Sequence, residues 1–235
     1  AYVYPREKRP IRMLLRRRMR YVWHRAALLA HLTGCRQAEG LEALTCTKRN
    51  RSRWAKHIVE SYEGKPSHQL AAACDFELVF TYDGVINDLE IALKKHALKH
   101  HAAEYRSLTS VPGIGMVLAL TILYEIDTVE RFETVQDLVS YSRLVGGNCC
   151  SAGKVVGSRG GKMGNPYLKW AFREAAILCK RADTPVGNYA EKLLRRKQGN
   201  KKLVNGILAS KICRAVYHML HNGTVFDPKR FVSSN

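Results

Sequence analysis

Carboxylates are scarce in this sequence. Twenty Asp and Glu face 39 Lys and Arg, a formal net charge of +19 at pH 7 and a pI near 9.9. An imbalance of that size argues against cationic ligands and favours a polyanionic partner, because each Lys or Arg set against a phosphate releases condensed counterions. DNA or RNA is the leading partner class on charge; the milder alternative is a basic protein that binds acidic membranes or ribosomal RNA. Long apolar runs are also missing, and none approaches the roughly 20 residues of a membrane span. The N-terminus has no apolar stretch suited to a signal peptide. Cysteines stand at 35, 46, 74, 149, 150, 179 and 213, an odd set with no CxxC pair. That pattern suits neither a disulfide framework nor a zinc site, so reduced thiols and a cytoplasmic, nucleoid-associated setting are expected. The hydrophobic fraction of 46% is ordinary, so a packed core is expected rather than disorder.

What is present reads as helix. Beyond an arm bracketed by Pro5 and Pro10, Ile11, Leu14, Leu15, Val22, Ala26 and Leu29 recur at helical spacing, with six arginines on the remaining surface and Gly34 as the stop. Residues 36–56 read as irregular and carry the basic cluster Lys48 to Arg53. A long helix is expected from His68 to His100, with Val79, Tyr82, Ile86, Leu89, Leu93 and Ala97 as a coiled-coil-like seam. Such a seam packs on another long helix, in this chain or in a second copy, so a homo-oligomer is expected. Shorter helices are expected at 116–126, 134–143, 165–181, 187–196 and 203–221, with little sheet. The expected fold is all-α: a basic helical, coiled-coil region over 1–105, a compact helical domain over 106–222 and a loose tail over 223–235.

Two segments carry candidate chemistry. Val111-Pro112-Gly113-Ile114-Gly115, ahead of the apolar run Met116 to Ile126, reads as a helix-hairpin-helix turn. Gly113, Ile114 and Gly115 would let a phosphate approach the backbone N–H groups at a helix start, while Leu108, Val111, Ile114, Leu118 and Ile122 anchor the hairpin. Such a module grips DNA backbone without reading sequence. A plain Pro-Gly turn is the simpler alternative. The second segment, Leu144 to Lys169, reads as a flexible, Gly-rich cationic loop. Gly153, Lys154, Arg159, Lys162 and Lys169 would hold a phosphodiester, and Ser151 or Ser158 could attack it. Composition alone favours the milder reading, a phosphate-binding loop whose serines only donate hydrogen bonds. Asn165 and Pro166 read as a helix cap, and Trp170 and Phe172 as core.

Taken together, the arm A-Y-V-Y-P, V-P-G-I-G at 111–115, the stretch from Arg131-Phe132 to Tyr141-Ser142-Arg143-Leu144-Val145, S-A-G-K at 151–154, G-K-M-G-N-P-Y-L-K-W-A-F at 161–172 and the helix around Lys211 to Leu220 resemble the insertion-sequence transposases of the IS110/IS116 family. That resemblance implies a two-part recombinase. An N-terminal RuvC-like domain carries a four-acid (DEDD) metal site, a C-terminal helical domain carries the serine, and a coiled coil joins them and mediates assembly. The serine of the S-[AG]-G-K motif falls on Ser151. Some members of the family are guided to DNA by a structured RNA. The basic helix and the Lys48–Arg53 cluster are compatible with a guide RNA, and a solvated basic face explains them equally well.

In the family the acidic motifs precede the A-Y-V-Y-P segment, and before Glu39 this sequence has Glu7 alone. The expectation is a C-terminal portion that binds DNA at insertion-sequence ends and targets but does not transpose unaided. Mg²⁺ would enter only through the RuvC-like domain, with no metal bound by this chain. Asp75, Glu77, Asp83, Asp88 and Glu90 read as surface charge, and Asp127, Glu130, Glu133 and Asp137 as exposed helix ends rather than a substitute metal cluster. A non-catalytic helix-hairpin-helix protein binding DNA or RNA is the alternative function.

Overall fold

The computed structural model describes residues 2–233 except 152–153, 161–162 and 181–183, and over 146–151 and 154–160 it describes the backbone alone. The fold is all-α apart from one two-stranded hairpin. The chain divides into two compact units, residues 13–92 and residues 1–12 with 93–235. Among the described residues no helix is long and apolar enough to cross a membrane.

The 13–92 unit is built from parts of α1 (Arg9–Ala38) and α3 (Pro66–His100), with α2 (Arg51–Ser61) between them in sequence. Within the unit α1 and α3 run antiparallel, as their cross-pairs show. Arg18 Nε donates to Glu90 at 2.9 Å, and Arg25 lies 2.5 Å from Asp83. The expected α3 seam is used inside the chain: Val79 and Ile86 are buried, and Tyr82 packs beside Tyr21 and His24. On α1 the buried positions are Leu15, Met19, Leu32 and Arg36, while Leu14 and Ala26, expected on the apolar stripe, are exposed. A small core of Leu32, Ile58, Tyr62, Ala72 and Phe76 ties α2 to the other two helices.

Three expectations for this unit are corrected. Gly34 does not stop α1, because it lies mid-helix with open space where a side chain would be. The irregular segment contains α2, whose first residue, Arg51, is buried and paired with Asp83. Asp83 and Glu90 are therefore interhelical partners of arginines rather than plain surface charge.

The other unit is centred on α5 (Met116–Ile126), buried from Leu118 to Ile126. Against it pack α4 (Ala102–Thr109) and α7 (Pro166–Leu178), and α9 (Lys201–Asn222) packs against α4, α7, α6 (Val135–Tyr141) and α8 (Pro185–Arg196). Their starts are written in the sequence as caps. Thr134 and Asp137 form a capping box, Asn165 accepts from the N–H groups of Tyr167 and Leu168, and Thr184 and Asn200 cap α8 and α9. Pro166 and Pro185 each occupy a first turn, where no N–H is required. Phe172 is core, as expected, and Trp170 is half-buried. The tail, expected to be loose, forms α10 (Pro228–Ser233): Asp227 Oδ1 accepts from the N–H groups of Lys229 and Arg230, and Phe231 is buried.

Candidate nucleic-acid interface

The V-P-G-I-G segment joins α4 to α5. Leu108, Val111, Ile114, Leu118 and Ile122 are all buried, as expected of residues that anchor this segment. Ile114 contributes through core packing, and its side chain is withdrawn from any ligand. The two glycines have different jobs. Gly113 has a φ of +89°, and a β-carbon there would fall 2.6 Å from the Cys179 nitrogen and 2.7 Å from the Ala175 oxygen. The close approach that Gly113 permits is thus to the C-terminal end of α7. Gly115 is exposed, has open space around it and begins α5 with no side-chain cap. The open backbone at this helix start belongs to Gly115.

The Gly-rich cationic segment, expected as a flexible loop, is an antiparallel hairpin of β1 (Gly146–Ser151) and β2 (Lys154–Gly160). Ser151 pairs with Lys154 at its tip and Arg159 with Gly147 near its base, with an irregularity between Cys149 and Cys150. Ser151 and Lys154, the first and last residues of the S-A-G-K motif, are therefore paired through their backbones. Gly153 and Lys162 lie outside the described residues.

The segment that follows the hairpin is firmly held. Gly164 has a φ of +104°, and a β-carbon there would meet the Tyr141 oxygen at 2.5 Å. Arg143 Nε donates to the Gly164 carbonyl at 3.0 Å, and the Asn165 N–H to the Tyr141 carbonyl at 2.6 Å. Asn165 also donates from Nδ2 to the buried Glu125 at 2.7 Å, so one side chain caps α7 and ties it to α5. Lys169 lies half-buried on α7.

The N-terminal arm packs within this same unit. Tyr2 and Lys8 donate to Asp127, Tyr4 donates to the Tyr124 carbonyl at 2.9 Å, and Arg12 stacks 3.6 Å above the Tyr4 ring. Asp127, expected at an exposed helix end, is enclosed, and its carboxylate is taken up by Lys8 and Tyr2. Asp137 is committed to its cap and Glu130 to Thr128. These acids do not fit a magnesium site, and no group of three or more metal-ligating side chains occurs among the described residues.

Beside the arm, His96 Nδ1 meets the Tyr124 hydroxyl at 2.9 Å, with His100 and His101 alongside. Burial, reinforced by neighbouring positive groups, lowers the His96 pKa, and burial lowers that of His101. Elsewhere in the unit, burial pushes the Cys179 thiol up to about 11 and Cys213 up to about 12. Neither is a ready nucleophile.

One feature of the site had only a faint sequence signal. A groove of about 1300 Å³ runs along α9 and is bounded by α8 and α10. Arg173, Lys202, Lys211, Arg214 and Arg230 line it against a single carboxylate, Asp227. The signal was Asp227-Pro228 ahead of an aromatic, which starts α10 and closes the groove.

Residues 105–191 match the model of the Transposase IS116/IS110/IS902 family. The chain is also similar to a Streptomyces coelicolor (strain ATCC BAA-471 / A3(2) / M145) protein described as insertion element IS110 uncharacterized 43.6 kDa protein, at 26% identity over 122 residues. That alignment takes in 52% of this chain and 30% of the relative's length.

Proposed function

We propose that this chain acts on DNA as part of an insertion-sequence transposase, because residues 105–191, the segment matching the Transposase IS116/IS110/IS902 family, contain both the V-P-G-I-G turn and the Ser151–Lys154 pair. That coincidence is the observation that carries the reading. In it, the helix hairpin grips duplex backbone at the start of α5, where Gly115 leaves room for a phosphate, and Gly113 holds the hairpin against α7. Ser151 is the nucleophile. Its Oγ bonds to phosphorus as the bond to one sugar oxygen breaks, and the hydroxyl proton passes through solvent to the departing oxygen. Lys154, Arg159, Lys162 and Lys169 set positive charge around the phosphodiester, where negative charge grows in the transition state. Mg²⁺ would be supplied by a RuvC-like domain, since Asp127, Glu130 and Asp137 of this chain are taken up by Lys8, Thr128 and Thr134.

The test is a denaturant-resistant protein–DNA adduct. The chain is incubated with insertion-sequence-end DNA and Mg²⁺, with and without an added RuvC-like domain from the family. An adduct that forms only with the RuvC-like domain added and disappears in Ser151→Ala, with binding retained, is expected. Absence of adduct in both arms alongside intact, salt-sensitive binding would leave a non-catalytic DNA-binding protein.

A further inference from the structure

The α9 groove lies largely outside the segment that matches the family, since most of its lining comes from residues 200–231. At about 1300 Å³ it exceeds the 300–1,000 Å³ of small-molecule sites. Its charge is one-sided, with five cationic side chains and one carboxylate. That carboxylate is already used, because Asp227 accepts from two backbone N–H groups at the start of α10. Lys211 is engaged too, 3.3 Å from the Tyr189 hydroxyl and over the Tyr189 ring. Arg173, Lys202, Arg214 and Arg230 form no ion pair among the described residues. Between these cations lies an aromatic cluster. Phe231 is its buried floor, with Phe226 at 5.3 Å and Tyr189 at 6.2 Å between ring centroids, both half-buried.

Cations flanking partly open aromatic rings are what an unpaired strand needs: phosphates meet the charges, and an unstacked base meets a ring face. A duplex can satisfy only the first half, because its base faces are covered by their neighbours. We propose that this groove binds an unpaired DNA strand, its phosphates against Lys202, Arg214 and Arg230 and a base on the Phe226–Tyr189 cluster. The choice of DNA rests on the proposed transposase reading; the choice of an unpaired strand rests on the groove.

The experiment is fluorescence anisotropy of the chain with a labelled 15-nucleotide oligo(dT), a 15-base-pair duplex and a 15-nucleotide oligo(U), titrated against KCl. Lys202 and Arg230 are exposed, so the Lys202→Glu/Arg230→Glu variant should fold. It is expected to weaken oligo(dT) binding at least tenfold and to flatten the log–log salt slope by about 1.4, from roughly 0.7 per lost phosphate contact on a single strand. Duplex affinity should change less than threefold. Phe226→Ala should cost oligo(dT) fivefold or more with the salt slope unchanged, and Phe226→Tyr should restore it. If the charge-reversal variant weakens oligo(dT) and duplex equally, or neither, the groove is not a single-strand site. Oligo(U) binding tenfold tighter than oligo(dT) would overturn the assignment to DNA. Loss of duplex binding and of the Ser151 adduct with groove-dependent oligo(dT) binding intact would sink the transposase reading and leave the groove standing.

Discussion

Gly113 and Gly115 are two residues apart in one motif and answer to different constraints. At Gly113 a methyl group meets backbone atoms of α7 at 2.6–2.7 Å, and the φ of +89° strains any side chain. Gly113→Ala should therefore cost about 2–4 kcal/mol, combining the left-handed penalty with overpacking. Gly115→Ala meets nothing, at an ordinary φ of −83°. It should leave the urea midpoint almost unchanged while weakening duplex binding, since the new methyl crowds the open helix start. Equal loss of stability in both variants would remove Gly115 as a phosphate position. The thiols divide in the same way. Cys35 and Cys74 are exposed, whereas Cys179 and Cys213 are buried with pKa values pushed up to about 11 and about 12. Iodoacetamide at pH 8 should label the first pair and spare the second until the protein unfolds.

At the scale of elements, the arginines of α1 and α2 pair with acids of α3 in the 13–92 unit, alongside its small apolar core. Asp83 stands between Arg25 and Arg51, and the Arg51 side chain is 6% exposed against 16% for Asp83. Asp83→Asn leaves two guanidinium groups facing each other without their counter-ion. The cost should be roughly 2–4 kcal/mol, near the lower part of the range for a broken buried pair because Asp83 keeps some solvent. Hydrogen exchange at the amides of α2 should accelerate first, and unchanged exchange would mean the pair is ornamental. This is also where the charge pattern misleads a reader of sequence. A run such as Lys48 to Arg53 looks uniformly solvated, yet Arg51 is interior because the helix beginning at that residue turns it toward Asp83. Lys48, Arg49 and Arg53 stay exposed as the pattern suggests.

For the molecule as a whole, the His96–His101 group makes stability depend on pH in a definite direction. Both imidazoles have pKa values lowered from 6.5, so as pH falls the unfolded chain takes up these protons before the folded one. Stability from these sites is complete above about pH 6.5 and declines as pH drops through the window below it. The melting temperature should fall between pH 7 and pH 5.5, and a His96→Asn/His101→Asn variant should show a flatter dependence. A wild-type profile rising toward pH 5.5 would contradict the burial of these rings.

The helices from Met116 onward other than α10, the Asn165-Pro166 cap and the burial of Leu108 to Ile122 were readable from residue order, because periodicity, an Asn-Pro start and residue spacing are local properties. The resemblance to insertion-sequence transposases was likewise carried by short motifs that need no fold to be recognised. Tertiary structure decided which partner each group meets. The glycine-rich segment became a paired hairpin, as strand pairing satisfies backbone groups that composition alone would leave to a loop. Asp127 was enclosed by an arm more than a hundred residues away. Gly113 was bound to α7, and the α9 groove arose only when α8, α9 and α10 came together. Long-range proximity depends on how helices pack against one another, and no local pattern encodes it.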